Sequence, residues 1–222
     1  IFKNNYFLSS SNRENLSFVL EISKKLKIKK DNRFLKNIDN EYFLTESNKE
    51  NLSFVLAISK KFHIKKELLI KTIQKFKGLK YRQQIIFRRK YLTIINDSKS
   101  TSFSSSISLL KENKNIFWLL GGIYKKGDKL ELSKKYFKNI KAFIYGKDKK
   151  IFSKKLKDKI KYKNFNNLKE ALKEIFMIVK KERPLNSTIL FSPCAASFDN
   201  FKNFEDRGLY FNKLVKMYKN EL

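Results

Sequence analysis

The sequence predicts an α/β domain, a mostly parallel sheet flanked by helices, preceded by a helical segment of separate character. Three observations predict it. Beyond residue 90, apolar runs of strand length alternate with stretches of helical period. Strand–helix–strand alternation favours right-handed crossovers and parallel pairing. Before Gly78 the chain reads as helix throughout, and the texture changes there.

The helical segment contains a repeat. Residues 6–31, YFLSSSNRENLSFVLEISKKLKIKKD, return at 42–67 as YFLTESNKENLSFVLAISKKFHIKKE, with 19 of 26 positions identical. Two copies do not make a solenoid, which needs about three stacked repeats. The pattern is that of a tandem duplication, with one copy in the native slot. Each copy reads as a helix: Ser47 and Glu50 fit a capping box, as do Ser11 and Glu14. Leu52, Val55, Leu56 and Ser59 have the spacing of one buried face. A second amphipathic stretch, Leu68, Leu69, Ile73 and Phe76, runs to Gly78 as a C-cap. His63, the only histidine, sits on a basic helix end with no clustered ligands, so it reads as structural or solvent-exposed.

Strands are expected at 91–95, 116–120, 142–145 and 188–191, with a weaker one at 160–162. Helices are expected at 102–112, 152–157, 167–181 and 201–218. Parallel sheets bind ligands beyond the carboxyl ends of their strands, which directs attention to the loops after Ile95, Leu120 and Phe191.

Composition narrows the classes. Among 222 residues the net charge is +30, with 44 Lys and seven Arg spread along the whole chain against 21 Asp and Glu. A nucleic-acid binder more often concentrates such charge on one element with interleaved aromatics, so nucleic acid is not the expected partner. No apolar run approaches the roughly 20 residues of a membrane-spanning helix. One cysteine, Cys194, forms no internal disulfide, and a cytoplasmic location is expected. The first residue is Ile1 rather than Met, which leads us to expect a fragment or processed chain.

Three loops carry candidate chemistry. In TIINDSKSTS, Asp97 offers acceptors for sugar hydroxyls, Lys99 a cation, and Thr101 a hydroxyl near a helix N-terminus. The same residues also suit a plain polar loop with a Ser/Thr cap. In LLGGIYKKGDK, Gly122 and Gly127 imitate a phosphate loop, but Asp128 stands where that motif needs lysine. Lys125 or its neighbour Lys126 reads as a carboxylate-holding charge, or as part of a solvated turn. In LFSPCAASFDNFKNFEDRG, Pro193 ends a strand and Cys194, Ala195 and Ala196 read as a pocket floor. Ser197 presents a hydroxyl before a helix, with Phe198 and Phe204 as walls. Cys194 lacks an activating base and is not expected to be a nucleophile. No metal site and no certain catalytic residue are read from these residues.

Taken in order, GLKYR, INDSKST, LLGG and LFSPCAASFDNFKNFEDRG resemble the D-glutamate-adding branch of the Mur ligase family, over about residues 42–222. The resemblance implies residues 1–36 as a duplicated helical segment and 37–78 as the last helices of a central ATPase domain. It implies residues 79–222 as a Rossmann-like C-terminal domain. It places Asn48 and Asn51 beside adenine, with Asn12 and Asn15 in the duplicate, and Arg82 and Asp97 near the ribose and phosphates of ATP. It assigns Thr101, Lys125, Ser197 and the Phe204 backbone to D-glutamate, with Phe198 lining the site. Ser47 and Tyr81 stand where the family usually has histidines.

The activity implied is carboxylate–amine ligation. ATP phosphorylates the alanyl carboxylate of UDP-N-acetylmuramoyl-L-alanine in peptidoglycan precursor synthesis, and the amine of D-glutamate displaces phosphate. Mg²⁺ is implied as a cofactor, with its ligands and the phosphate loop outside this chain. A monomer with little activity by itself is expected. Two competitors are a non-catalytic binding remnant and a basic nucleic-acid-binding α/β domain.

Overall fold

The computed structural model describes residues 40–43 and 46–219. The first repeat copy, including Ser11, Asn12, Glu14 and Asn15, lies outside the described residues. The chain divides into two compact units between Gly78 and Leu79.

The first unit holds a short 3-10 turn, Glu41–Phe43, and two helices, α1 (Glu46–Lys61) and α2 (Lys66–Lys75). Leu52, Leu56 and Ile73 form its core, with Phe43 and Leu69 packed against them. The buried stripe of α1 differs from the one the spacing predicts. Ser53 and Ala57 are buried while Val55 is 49% exposed, because the stripe is rotated toward Ser53 and Leu56 and leaves Val55 on its rim. The helix α1 already begins at Glu46, one residue before the Ser47 of the expected capping box. Gly78 does not end α2. The cap is Phe76 in extended conformation. Gly78 follows two residues later at φ +78°, where a Cβ would enter the Tyr42 ring.

The second unit is a six-stranded sheet in the order β1-β2-β7-β3-β5-β6. Its strands are β1 (Gln84–Arg89), β2 (Leu92–Asn96), β3 (Ile116–Gly121), β5 (Ile140–Tyr145), β6 (Lys161–Asn164) and β7 (Ser187–Phe191). All pairs are parallel except β1 with β2. A two-stranded antiparallel ribbon, β4 (Ile123–Tyr124) with β8 (Ala195–Ala196), lies just beyond β3 and β7 in sequence. Mixed α/β topology of this kind is what the alternation of runs predicts.

Central β3 and β7 are buried along their whole length, as strands covered on both faces must be. On one face Leu92, Ile94, Phe117, Leu119, Ile189 and Phe191 meet helices α5 (Leu168–Glu182) and α6 (Phe204–Tyr218). On the other, Ile95, Trp118, Leu120 and Leu190 meet α3 (Phe103–Glu112) and α4 (Lys149–Leu156). Capping sets the helix starts. Asn167 accepts the Glu170 amide at 2.9 Å, and Asn203 accepts the Asp206 amide at 2.7 Å. The last helix therefore begins at Phe204, not at residue 201.

Candidate functional site

Parallel strands β2, β3, β5 and β7 end at one edge of the sheet, and the loops leaving β2, β3 and β7 are tied to one another there. Gly121 donates its amide to the Pro193 carbonyl at 2.9 Å. The β4–β8 ladder sets Ile123 opposite Ala196 and Tyr124 opposite Ala195, so Lys125 leaves this ribbon beside the segment bearing Ser197. The Asp128 carboxylate accepts the Phe103 amide at 2.6 Å, joining the Lys125 turn to the start of α3 just after Thr101. Ser98 Oγ donates to the Phe204 carbonyl at 2.8 Å, joining the first loop to the start of α6. Five predicted residues, Thr101, Lys125, Ser197, Phe198 and Phe204, thus sit on loops and helix starts at one sheet edge. Thr101 and Lys125 are exposed, Ser197 is buried, Phe204 is half-buried and Phe198 is 70% exposed.

The small residues after β7 do not form an open floor. Cys194 and Ala195 are fully buried. A Cβ at Gly122 would run into the Ala196 carbonyl oxygen and sit 3.1 Å from the Ala195 methyl. Small side chains are needed here because two strands and a buried arginine close on one another. Arg207, 1% exposed, donates through Nη1 to the Ala195 carbonyl at 3.0 Å. It also donates through Nη2 to the Ser98 carbonyl at 2.6 Å and through Nε to Ser98 Oγ at 3.1 Å. Burial pulls its guanidinium below the ordinary value. Nor does Ser197 immediately precede a helix: its carbonyl accepts the Asn200 and Phe201 amides in a turn, and α6 starts seven residues on.

Asp97 is buried, not open to solvent. Its Oδ2 accepts the Ser192 hydroxyl at 2.7 Å and its Oδ1 accepts the Gln83 amide at 3.1 Å. Burial pushes its carboxyl from 3.8 up to about 7, against the pull of those two hydrogen bonds and of the Arg82 and Arg207 charges. Behind it runs a chain of buried hydroxyls. Ser192 and Ser106 lie 2.5 Å apart, Ser106 and Ser100 2.8 Å, and Ser106 and the Cys194 thiol 2.9 Å. Burial pushes that thiol well above its ordinary range, in keeping with a residue that is not a nucleophile.

The residues assigned to the nucleotide fall on both units. Arg82 is exposed in the turn that Asp97 anchors through Gln83. Asn48 and Asn51 lie on α1 of the first unit. Asn48 is buried and donates to the Tyr42 carbonyl at 2.6 Å, while Asn51 is exposed. Among the described residues no three His, Cys, Asp or Glu side chains gather to hold a metal. No helix among them is long and apolar enough to cross a membrane.

Sequence reasoning misses Arg207, Ser192, Ser98 and the capping role of Asp128. One signal exists. Arg207 occupies a position on the same α6 stripe as Phe211, Leu214, Val215 and Tyr218, where a lone charge calls for buried acceptors.

The second unit is thus an open, mostly parallel α/β sheet covered by helices on both faces, with strand-end loops joined around one buried arginine. Named proteins share its sequence or its fold. The UDP-N-acetylmuramoylalanine–D-glutamate ligase of Rickettsia bellii is 37% identical over 147 residues, 66% of this chain and 32% of that protein. The enzyme of the same name from Francisella philomiragia is 38% identical over 154 residues, 68% of this chain and 36% of that one. In fold, the UDP-N-acetylmuramate–alanine ligase of Thermotoga maritima matches 80% of this chain with TM-score 0.56 at 16% identity, covering 39% of that structure. MurF from Acinetobacter baumannii matches 78% with TM-score 0.56 at 17% identity, covering 38% of that structure. No family model matches the sequence. Over about two thirds of its length the chain is similar to proteins of the Mur ligase family. Both relatives compared by sequence carry the name of its D-glutamate ligase, and the chain spans about a third of their length.

Proposed function

We propose that this chain is the amino-acid-binding part of an ATP-dependent ligase that adds D-glutamate to UDP-N-acetylmuramoyl-L-alanine. The observation that supports this best is the knitting of the Thr101, Lys125 and Ser197 loops at one sheet edge, in a chain whose relatives carry that name. A dicarboxylic amino acid suits such an edge. One carboxylate is held by the Lys125 ammonium and the Thr101 hydroxyl beside the α3 N-terminus. The other is held by the Ser197 hydroxyl and the Phe204 amide, which lies in the first turn of α6 and has no intrahelical acceptor. The exposed Phe198 ring covers the aliphatic carbons. Lys125 is taken as the lysine of the pair because it directly follows the β4–β8 ribbon and opens the turn bonded to α3.

In this reading the chain supplies orientation. Fixing both carboxylates leaves the amine of D-glutamate as the free end, aimed at the activated carbonyl of the partner substrate. Asp97 sets the Arg82 turn, and Arg82 is the cation offered to nucleotide phosphate. The phosphoryl-transfer machinery belongs to the rest of the ligase.

Titration of the chain with D-glutamate, followed by amide chemical shifts, tests the proposal. Shifts at Thr101, Lys125, Ser197 and Phe204, weaker with L-glutamate, are expected. Shifts confined to scattered surface lysines, or salt-sensitive DNA binding indifferent to D-glutamate, would refute it.

A further inference from the structure

We infer that Asp128 is a positioning residue of the amino-acid site, fastening the Lys125 turn to the helix start that bears Thr101. The inference rests on the dicarboxylate reading above and adds to it a residue that sets the span between the two anion-holding groups.

The turn is short and self-closed. Asp128 donates its amide to the Lys125 carbonyl at 3.1 Å, and Gly127 takes φ +83°, a conformation that suits glycine at the third position of such a turn. The Tyr124 hydroxyl donates to the Asp128 carbonyl, so the residue before Lys125 grips the far end of the turn. On its inner side, Tyr124 donates its amide to the Asp148 carboxylate at 2.8 Å, and β4 pairs with β8. These contacts fix the base of the turn. The Asp128 side chain then reaches across to α3, through the 2.6 Å bond from the Phe103 amide.

Charge placement follows the same logic. The amides of the first helical turn point outward and attract negative charge. Asp128 occupies the Phe103 amide at the start of α3, two residues after Thr101. Burial raises the Asp128 carboxyl, while the Phe103 amide and the Lys125 ammonium draw it back down. The Lys125 charge thus acts on the Asp128 carboxylate from the same turn that is bonded to α3. Without Asp128 the turn keeps its base but loses this link to α3, and with it the fixed span between Lys125 and Thr101.

The test combines calorimetric D-glutamate titration of the whole chain with amide exchange. The variants are Asp128→Ala, Asp128→Asn, Lys125→Ala and the double variant D128A/K125A. Asp128→Ala should weaken D-glutamate binding by about tenfold and speed exchange at the Phe103 amide, with the sheet amides unchanged. Asp128→Asn keeps an acceptor oxygen and should restore most of both. The double variant should bind no more weakly than Lys125→Ala alone, because Asp128 acts through Lys125. A residue that merely stabilised the fold would instead give additive losses. Wild-type binding with an unaltered affinity in Asp128→Ala would overturn the inference and leave the site reading intact. A wild-type chain that binds no D-glutamate overturns the site reading, and the inference with it.

Discussion

The Asp97→Asn substitution should stabilise the second unit at alkaline pH and leave it unchanged in acid. Asp97 is 5% exposed, and burial lifts its carboxyl from 3.8 to about 7. Below about pH 4 the group is protonated whether the chain is folded or not. Between about pH 4 and 7 the folded chain holds a proton that the unfolded chain has lost, so folding stability falls as pH rises. Above about pH 7 the full penalty is in place, roughly 4 kcal/mol at most. Asparagine keeps an oxygen for the Gln83 amide and has an amide group to donate to Ser192 Oγ, without the buried charge. The expected gain is about 2–4 kcal/mol at pH 8 and close to nothing at pH 3.5. Trp118 makes the measurement direct. It is the only tryptophan, it is fully buried in β3, and its Nε1 donates to the Ser192 carbonyl at 2.9 Å. Urea unfolding followed by its fluorescence, in wild type and variant at both pH values, gives the difference. Equal effects at the two pH values, or a loss of stability at pH 8, would refute the buried-carboxylate argument.

Other outcomes follow from the same contacts. Arg207→Met leaves the Ser98 and Ala195 carbonyls without their buried donor and should destabilise the second unit by about 3–5 kcal/mol in urea unfolding. Arg207→Lys should rescue little of this, since one ammonium cannot span three acceptors. Gly122→Ala, at φ +131° and against Ala196, should cost more than about 2 kcal/mol and loosen the β4–β8 ribbon, read as faster amide exchange at Ile123 and Tyr124. Phe211→Ala removes a buried ring stacked 4.3 Å from Phe191 and should cost about 3–5 kcal/mol by the same unfolding assay. Lys125→Ala, at an exposed position, should leave the thermal midpoint within about 1 °C while weakening D-glutamate binding in calorimetry.

The parallel part of the sheet is legible in the sequence because its strands are buried on both faces. Continuous runs such as Ile116–Gly121 and Ser187–Phe191 have no other common explanation between amphipathic helices. Edge strand β1 escapes because it is half-exposed and ends in Arg88 and Arg89, so its pattern is that of a polar connection. The β4–β8 ribbon is two residues long on each side, too short for any period to register. The start of α6 is misplaced by periodicity although Asn203 and Asp206 spell a capping pair; the run of phenylalanines at 198, 201 and 204 draws the boundary upstream. On α1, helical period alone gives the stripe but not its rotation, which is set by what Leu56 and Ile73 meet in three dimensions.

The candidate site is legible in its loops and not in its supports, and the reason is chemical. Thr101, Lys125 and Ser197 are polar residues at strand ends, where the topology of a parallel sheet directs attention whatever the ligand. Their supports are paired over long separations: Ser98 with Arg207, Asp97 with Ser192, Phe103 with Asp128. No local pattern encodes a partner so far along the chain. What the sequence does show is the demand for a partner, as a charge on an apolar stripe or an acid between glycines and lysines. Small residues at 194–196 mislead for the same reason. Smallness signals close approach but not what approaches, and here it is the backbone of β4 and the guanidinium of Arg207 rather than a ligand. In the proposed reading the amino acid therefore lies outward of that seal, on the exposed side of Thr101, Lys125 and Phe198, over the buried arginine and hydroxyl chain.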